Sequence, residues 1–194
     1  MPNGTRIQIL RAAREAFCKY GYEKTSVEDI AKLSNRAKTS LYYYFTGKPE
    51  IFEATIREEF LEIRRALEPE TELIPGKSVE AFRSYLKKRM ELIVSSALFR
   101  GCFHLKYNGT PNDIGAAGIL IGARRDFDEW EKELFSRICL RGREVGIFNS
   151  NINPKDFAEM FEMLLKGVET QFFITKDMAS TRATYNEMVD FIIK

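Results

Sequence analysis

Apolar residues recur at intervals of three and four along most of this 194-residue chain, which is the spacing of one face of an α-helix. Near the start, Leu10, Ala13, Phe17 and Tyr20 follow this period. A chain in which one period dominates must bury its apolar faces by packing helix on helix. The pattern therefore predicts an all-α fold.

Helix boundaries follow from caps and breakers. Gly21 is placed as a C-cap residue, and Ser26 with Asp29 resembles a capping box. The aromatic run that ends at Phe45 has strand propensity, but a lone strand between helices would have no partner, so we predict a third short helix there. Residues 69–77 are predicted to be a loop, and the predicted helices are 5–20, 26–34, 38–45, 48–67, 78–98, 101–108, 121–146, 154–176 and 181–193.

Charge is distributed unevenly along the chain. Residues 1–50 contain nine Lys and Arg against five Asp and Glu, whereas the remaining residues contain 21 against 23. A basic first quarter on a nearly neutral body is expected for a nucleic-acid-binding head. We therefore predict two domains, 1–50 for DNA binding and 51–194 as a helical body.

The sequence lacks the residues that several classes of protein need for their function. His104 is the only histidine, which argues against Ser-His-Asp, Cys-His and His-ligated zinc chemistry, and no phosphate-binding glycine motif is found. Cys18, Cys102 and Cys139 have no metal-ligand spacing. We predict a protein that is not an enzyme and that has no cofactor or metal. With no signal-like or membrane-length apolar run, it is expected to be cytoplasmic, without a membrane partner.

Two short helices joined by a tight turn form the arrangement that reads a DNA major groove, about 12 Å wide. The stretch EDIAKLSNRAKTSLYYYF, from Glu28 to Phe45, is preceded by Thr25, Ser26 and Val27 and followed by Lys48. This stretch resembles the helix-turn-helix signature of the TetR family of regulators, over about residues 6–55. The resemblance implies a three-helix head joined by a long helix to a helical dimerisation and ligand-binding body, with about nine helices in total.

The resemblance also implies residue roles in DNA binding. Val27 starts the bracing helix, with Ser26 near a phosphate. The residues that it places against base edges are Lys38, Thr39 and Tyr43. Those that it places against backbone phosphates are Ser40, Tyr42, Tyr44 and Lys48. Lysine suits guanine acceptors, and tyrosine hydroxyls suit phosphate oxygens.

The turn departs from the usual family pattern at three positions. Asn35 stands where glycine is common and tolerates the left-handed conformation. Arg36 replaces an aliphatic residue and is expected to reach a phosphate. Ala37 replaces a capping serine or threonine, at a cost of about 1 kcal/mol.

The body is expected to dimerise and to bind a small effector. The last two helices carry broad apolar faces that suit a four-helix interface across a two-fold axis, although ordinary core packing remains the alternative. The predicted interface residues are Val168, Phe172, Tyr185, Met188, Val189 and Ile192. Aromatic residues with polar tips predict a pocket for an apolar or aromatic effector, lined by Tyr85, Phe103, His104, Tyr107, Phe127, Trp130 and Phe161. Cys102 is a further candidate, either as a redox sensor or as an inert thiol.

The sequence thus predicts a sequence-specific DNA-binding transcriptional regulator, and specifically a repressor that binds a palindromic double-stranded operator as a homodimer and is released by a small molecule. Three alternatives stay open: an activator or nucleoid-associated protein of the same fold, a helical enzyme, and a protein-interaction module. Of these, only the first explains the residues from Lys38 to Tyr44.

Overall fold

The computed structural model describes residues 2–71, 78–101, 114–146, 148–149 and 151–192. Within these ranges the chain is helical and contains no strand, so the predicted all-α class is confirmed. The helices are α1 (Pro2–Lys24), α2 (Val27–Leu33), α3 (Lys38–Tyr44), α4 (Lys48–Leu67), α5 (Ser78–Ser95), α6 (described over 97–101), α7 (Ile114–Glu144), α8 (Pro154–Ile174) and α9 (Met178–Ile192). A 3-10 turn, Glu68–Thr71, follows α4.

Several boundaries differ from the sequence prediction. Helix α1 extends beyond the predicted 5–20 at both ends, from Pro2 to Lys24, with a kink at Gly21. The predicted helix 78–98 ends at Ser95, because Ser96 accepts a hydrogen bond from the backbone of Phe99 and so caps α6. Helix α7 begins at Ile114 rather than near 121. It includes Gly115 and Gly118 despite the low helix propensity of glycine. Helix α9 begins at Met178, three residues before the predicted start at 181.

The described chain divides into two compact units. The first contains residues 1–60 and 96–125, and the second contains 61–95 and 126–194. The predicted domain boundary at residue 50 stays a prediction.

The core of the first unit is formed by the apolar faces of its N-terminal helices. Ile9, Ala13, Ile30 and Leu41 are completely buried. Phe17 packs edge-on against Phe52 of α4, with ring centroids 4.9 Å apart. At Gly21 the backbone leaves helical geometry with φ of 79°, which suits glycine and turns the end of α1 toward α2. This core holds α2 and α3 in place.

The core of the second unit is aromatic. Phe82 on α5, Phe135 on α7 and Phe161 on α8 lie with ring centroids 5.3 to 5.9 Å apart. Such tilted and edge-on contacts are the preferred geometry of packed aromatic rings. Three helices are therefore joined at one cluster. Helix α9 is joined to α8 through the contact of Tyr185 with Phe172.

Candidate nucleic-acid interface

Helix α2 starts with the predicted capping box. The Ser26 hydroxyl accepts a hydrogen bond from the Asp29 backbone at 3.1 Å, and the Ser26 backbone donates to the Asp29 carboxylate at 2.9 Å. The Ser26 hydroxyl also donates to the Asp29 carboxylate at 2.6 Å, and this bond, followed by the one from the Ser26 backbone, lowers the pKa of Asp29. Ser26, predicted to lie near a phosphate, uses its hydroxyl within the protein, and Val27 is buried in the core.

The turn between α2 and α3 relies on Asn35. This residue has φ of 52°, in the left-handed region that glycine or asparagine adopts at low cost. The Arg36 backbone donates to the carbonyl of Ala31 at 2.9 Å, which closes the turn. No side chain caps the start of α3 at Ala37, as the sequence predicted.

Helix α3 has one anchoring face and one exposed face. Leu41 and Phe45 are buried, and the Arg6 guanidinium lies 5.3 Å from the Phe45 ring centroid. On the other face, Tyr42 is 49% exposed and Tyr43 is 81% exposed. Large aromatic side chains are seldom left open to water to this extent without a partner. The exposed face is completed by Lys38 and Thr39, while Ser40 and Tyr44 are half-buried.

The side chain of Lys38 is held at this surface by an ion pair. Its ammonium group donates to the carboxylate of Glu28 on α2, and both side chains are about half exposed. The same ammonium lies 5.8 Å from the ring centroid of Tyr42. The hydrogen bond between the two groups raises the pKa of Lys38 and lowers that of Glu28. We refer to Lys38 and Glu28 as the surface pair.

Two other predicted phosphate contacts are engaged within the protein. Lys48 donates to the carbonyl of Tyr22 at 3.0 Å and lies 4.3 Å from the ring centroid of that tyrosine. Arg36 donates to the side chain of Gln8 at 2.7 Å and is exposed. Each side chain keeps further N–H donors, since an ammonium group has three and a guanidinium has five.

The predicted effector residues have a different setting in the second unit. Tyr85, Phe127, Trp130 and Phe161 are buried among aromatic neighbours, with the rings of Phe127 and Trp130 5.5 Å apart. Phe103, His104, Tyr107 and Cys102 lie outside the described residues. An open groove of about 720 Å³ runs beside Trp130, and its lining includes Arg64, Arg137 and Lys155. Among the described members of the predicted set, only Trp130 lines this groove.

Sequence reasoning missed a charged cluster inside the second unit. Arg89 on α5 is 1% exposed and donates to Glu131 on α7 at 2.5 and 2.8 Å, and it also contacts Glu169 on α8 at 2.7 Å. The hydroxyl of Tyr85 donates to Glu131, and burial raises the pKa of Tyr85 well above its usual value. The available signal was that these charged residues interrupt the buried faces of three helices. Arg89, Glu131, Glu169 and Tyr85 are called the buried cluster below.

The predicted dimer residues separate into two groups. Phe172, Tyr185 and Val189 are buried within the chain itself, whereas Val168 and Met188 are half-buried and Ile192 is exposed. Apart from Ile192, the apolar side chains that α8 and α9 leave exposed lie outside the predicted set, and they are chiefly Met163 (76% exposed), Met160, Ile174 and Phe191 (73% exposed). Both helices are present, and Phe172 and Tyr185 pack against each other within the chain, with ring centroids 5.9 Å apart. The predicted dimer interface itself stays a prediction.

The described residues contain neither of two further kinds of feature. No group of His, Cys, Asp and Glu side chains in those residues has the arrangement of a metal site. None of the helices described is both long and apolar enough to cross a membrane.

Sequence comparison finds relatives mainly through the N-terminal helices. Residues 9–55 match the family described as bacterial regulatory proteins, tetR family. The HTH-type transcriptional regulator ArpR of Pseudomonas putida is 38% identical over 74 residues, which cover 37% of this chain and 35% of the relative. The match therefore spans about a third of the relative's length.

Solved structures resemble the chain over nearly its whole length. A TetR-family transcriptional regulator from Mesorhizobium loti has a TM-score of 0.75 at 18% identity, covering 100% of this chain and 96% of the other. FadR from Bacillus subtilis in complex with stearoyl-CoA has a TM-score of 0.69 at 17% identity, with 97% of each chain covered. These likenesses establish the fold of the whole chain, while the sequence match concerns the helices that form the candidate interface.

Proposed function

Because this chain belongs to the TetR family of transcriptional regulators, we propose that it is a homodimeric repressor that binds a palindromic DNA operator through α2 and α3. In this proposal, a small molecule bound in the second unit releases the operator. The observation that carries the DNA-binding part is the exposed face of α3, where Tyr43 is 81% exposed on a helix anchored by Leu41.

The chemistry of this face suits the DNA major groove. Lys38 supplies a donor for guanine, Thr39 a hydroxyl and a methyl group, and Tyr42 and Tyr43 supply phenol hydroxyls for bases or phosphates. The side chains of the surface pair and of Lys48 and Arg36 are exposed or half-buried. Replacing their present hydrogen bonds by bonds to DNA therefore has a low desolvation cost. The interface thus needs rotamer changes rather than refolding.

Assembly as a dimer is supported by the apolar surface of α8 and α9. Met160, Met163 and Ile174 on α8 and Phe191 on α9 are all more than half exposed. Contiguous exposed apolar surface marks protein interfaces, and two-fold pairing of two helices from each subunit would bury these side chains in a four-helix bundle. A two-fold dimer in turn requires a palindromic operator with half-sites about 34 to 36 Å apart.

Effector release is supported by the groove beside Trp130 and by the ligand of a structural neighbour. The volume of the groove, about 720 Å³, lies in the range of small-molecule sites. FadR from Bacillus subtilis, which has the same fold, was solved with stearoyl-CoA. Helix α4 contributes residues to both units, which gives a covalent route for coupling. A hundred-fold loss of operator affinity requires about 2.7 kcal/mol of coupling, which is within the usual allosteric range.

DNA binding is tested by gel shift with the DNA upstream of the chain's own gene, in the wild type and two variants. Lys48→Ala should weaken binding to every sequence similarly and lower the slope of affinity against salt by about one unit, because it removes a phosphate contact. Lys38→Ala should instead reduce the discrimination between operator and unrelated DNA by about tenfold. Unchanged binding in both variants would contradict the assignment of the interface. A reporter gene under the same DNA distinguishes repression from activation.

The dimer is tested by light scattering on the variant Met163→Glu, with Met163→Leu as the conservative control at the same position. The glutamate should give monomers at micromolar concentration, since it places a charge in the apolar contact. A wild-type protein that is itself monomeric would remove the basis for a palindromic operator.

Effector coupling is tested by calorimetric titration, with stearoyl-CoA as the first probe and with and without operator DNA. Linkage requires operator DNA to weaken an inducer by the same factor by which the inducer weakens the operator. A probe that binds with equal affinity in both states is not an inducer.

A further inference from the structure

The surface pair joins a donor and an acceptor at the start of the recognition helix. Lys38 is the first residue of α3, and Glu28 lies in the first turn of α2. Their ammonium and carboxylate groups are in direct contact, and both side chains are open to solvent. The two exposed groups together offer a partner a hydrogen-bond donor beside an acceptor. Neither residue offers this combination alone.

This pattern matches the major-groove edge of one base pair. Guanine presents the acceptors N7 and O6, and cytosine presents its amino donor beside them. Guanine O6 and the cytosine amino nitrogen are themselves hydrogen-bonded, at about 2.9 Å. An ammonium and a carboxylate in hydrogen-bond contact have a similar spacing, so each can face its complement on the same base pair.

An A·T pair fits the surface pair less well. Adenine offers the ammonium one acceptor, N7, where guanine offers two. If the ammonium instead faces thymine O4 and the carboxylate faces the adenine amino group, the ammonium again has a single acceptor and lies beside the thymine methyl group. The Tyr42 ring, 5.8 Å from the Lys38 ammonium, further restricts the positions that this ammonium can adopt.

We propose that Lys38 and Glu28 jointly read one G·C base pair in each operator half-site, with Lys38 donating to guanine O6 and N7 and Glu28 accepting from the cytosine amino group. The proposal rests on the proposed DNA-binding function and adds a specificity residue, Glu28, on the bracing helix. In the free protein, the ion pair would hold both groups near the geometry that the base pair requires.

The test is selection of binding sites from a pool of randomised DNA duplexes, followed by sequencing. The wild type should enrich sites with a G·C pair fixed at one position of each half-site. In both Glu28→Ala and Lys38→Ala, the preference for G·C over A·T at that same position should fall by about tenfold, with the other positions retained. Glu15→Ala, which removes an exposed carboxylate from α1, is the matched control and should leave every preference unchanged. Circular dichroism and light scattering confirm that each variant keeps the fold and size of the wild type.

Three results would overturn the proposal. In the first, Glu28→Ala changes affinity uniformly but keeps every base preference, so that Glu28 only competes with DNA for Lys38. In the second, the two variants alter different positions of the site. In the third, the wild type enriches no sequence at all, which contradicts the proposed function itself and is distinguished from the other two by the wild-type pool alone.

Discussion

The chain uses charged side chains in opposite ways in its two units. In the first unit, the surface pair of Lys38 and Glu28 is about half exposed, and each group can exchange its partner for water or DNA. In the second unit, the buried cluster encloses Arg89 between Glu131 and Glu169, where water cannot replace a lost partner. An exposed ion pair adds little to stability but remains available for recognition, whereas a buried one fixes the packing of the helices that carry it.

The difference follows from desolvation. Burying a charge costs several kcal/mol, which only well-placed partners recover, so removal of one partner leaves the others uncompensated. The buried cluster joins α5, α7 and α8 and thereby fixes the arrangement of the second unit. The surface pair joins only the ends of α2 and α3, whose positions are already set by Ile30 and Leu41.

The largest predicted effect comes from breaking the buried cluster. Arg89→Met should lower the free energy of unfolding by about 3 to 5 kcal/mol, because Glu131 and Glu169 lose the cation between them. The matched change in the surface pair, Lys38→Met, should leave the urea midpoint unchanged within error. Equal effects in urea unfolding of the two variants would remove the distinction between the two charge arrangements.

A smaller effect is expected where the buried cluster loses one neutral donor. Tyr85→Phe should cost about 1 to 3 kcal/mol, since the carboxylate of Glu131 loses a hydrogen bond that water cannot supply. Tyr43→Phe, which removes a hydroxyl from the exposed face of α3, should leave stability unchanged but weaken DNA binding. Urea unfolding and gel shift on both variants would separate the structural role of Tyr85 from the DNA-binding role of Tyr43. A loss of stability in Tyr43→Phe would contradict this assignment.

The turn before α3 tests backbone conformation rather than charge. Asn35→Ala should destabilise the protein by about 1 kcal/mol, because alanine is strained at φ of 52°. Asn35→Gly should be close to neutral, since glycine adopts this region freely. Thermal unfolding of the pair gives the comparison, and equal losses would show that the asparagine side chain matters instead.

The smallest effect concerns pH. The pKa of Asp29 is lowered in the folded state by its bonds to Ser26, so its contribution to stability is present above the unfolded pKa of about 4 and is lost as the pH falls through the folded value. The urea midpoint of the wild type should therefore exceed that of Asp29→Asn at about pH 6, and the difference should shrink near pH 3. A difference that is independent of pH would mean that the carboxylate charge contributes nothing to the cap.

Local features of the N-terminal helices could be predicted from the sequence with good detail. The capping box at Ser26, the left-handed Asn35, the missing cap at Ala37 and the outward direction of Tyr42 and Tyr43 are all present in the structure. Each depends on residues within about one helical turn, where backbone geometry determines neighbours. The partners of Lys38, Arg36 and Lys48 were missed, because they lie on other helices.

In the second unit, the sequence determined which segments are helical but not which side chains meet. The period of three and four fixed α8 and α9 because it requires only that one side of each helix be apolar. Whether Phe172 faces its own chain or a partner depends on how α9 lies against α8, and their packing buries it beside Tyr185. In the same way, Arg89, Glu131 and Glu169 stand 38 or more residues apart, and only tertiary packing brings them together. The sequence by itself thus determined the helices, their caps and the exposed face of α3, because short-range geometry sets these features. The tertiary structure alone decided the ion pairs and the exposed surface of α8 and α9, because both depend on contacts between distant segments.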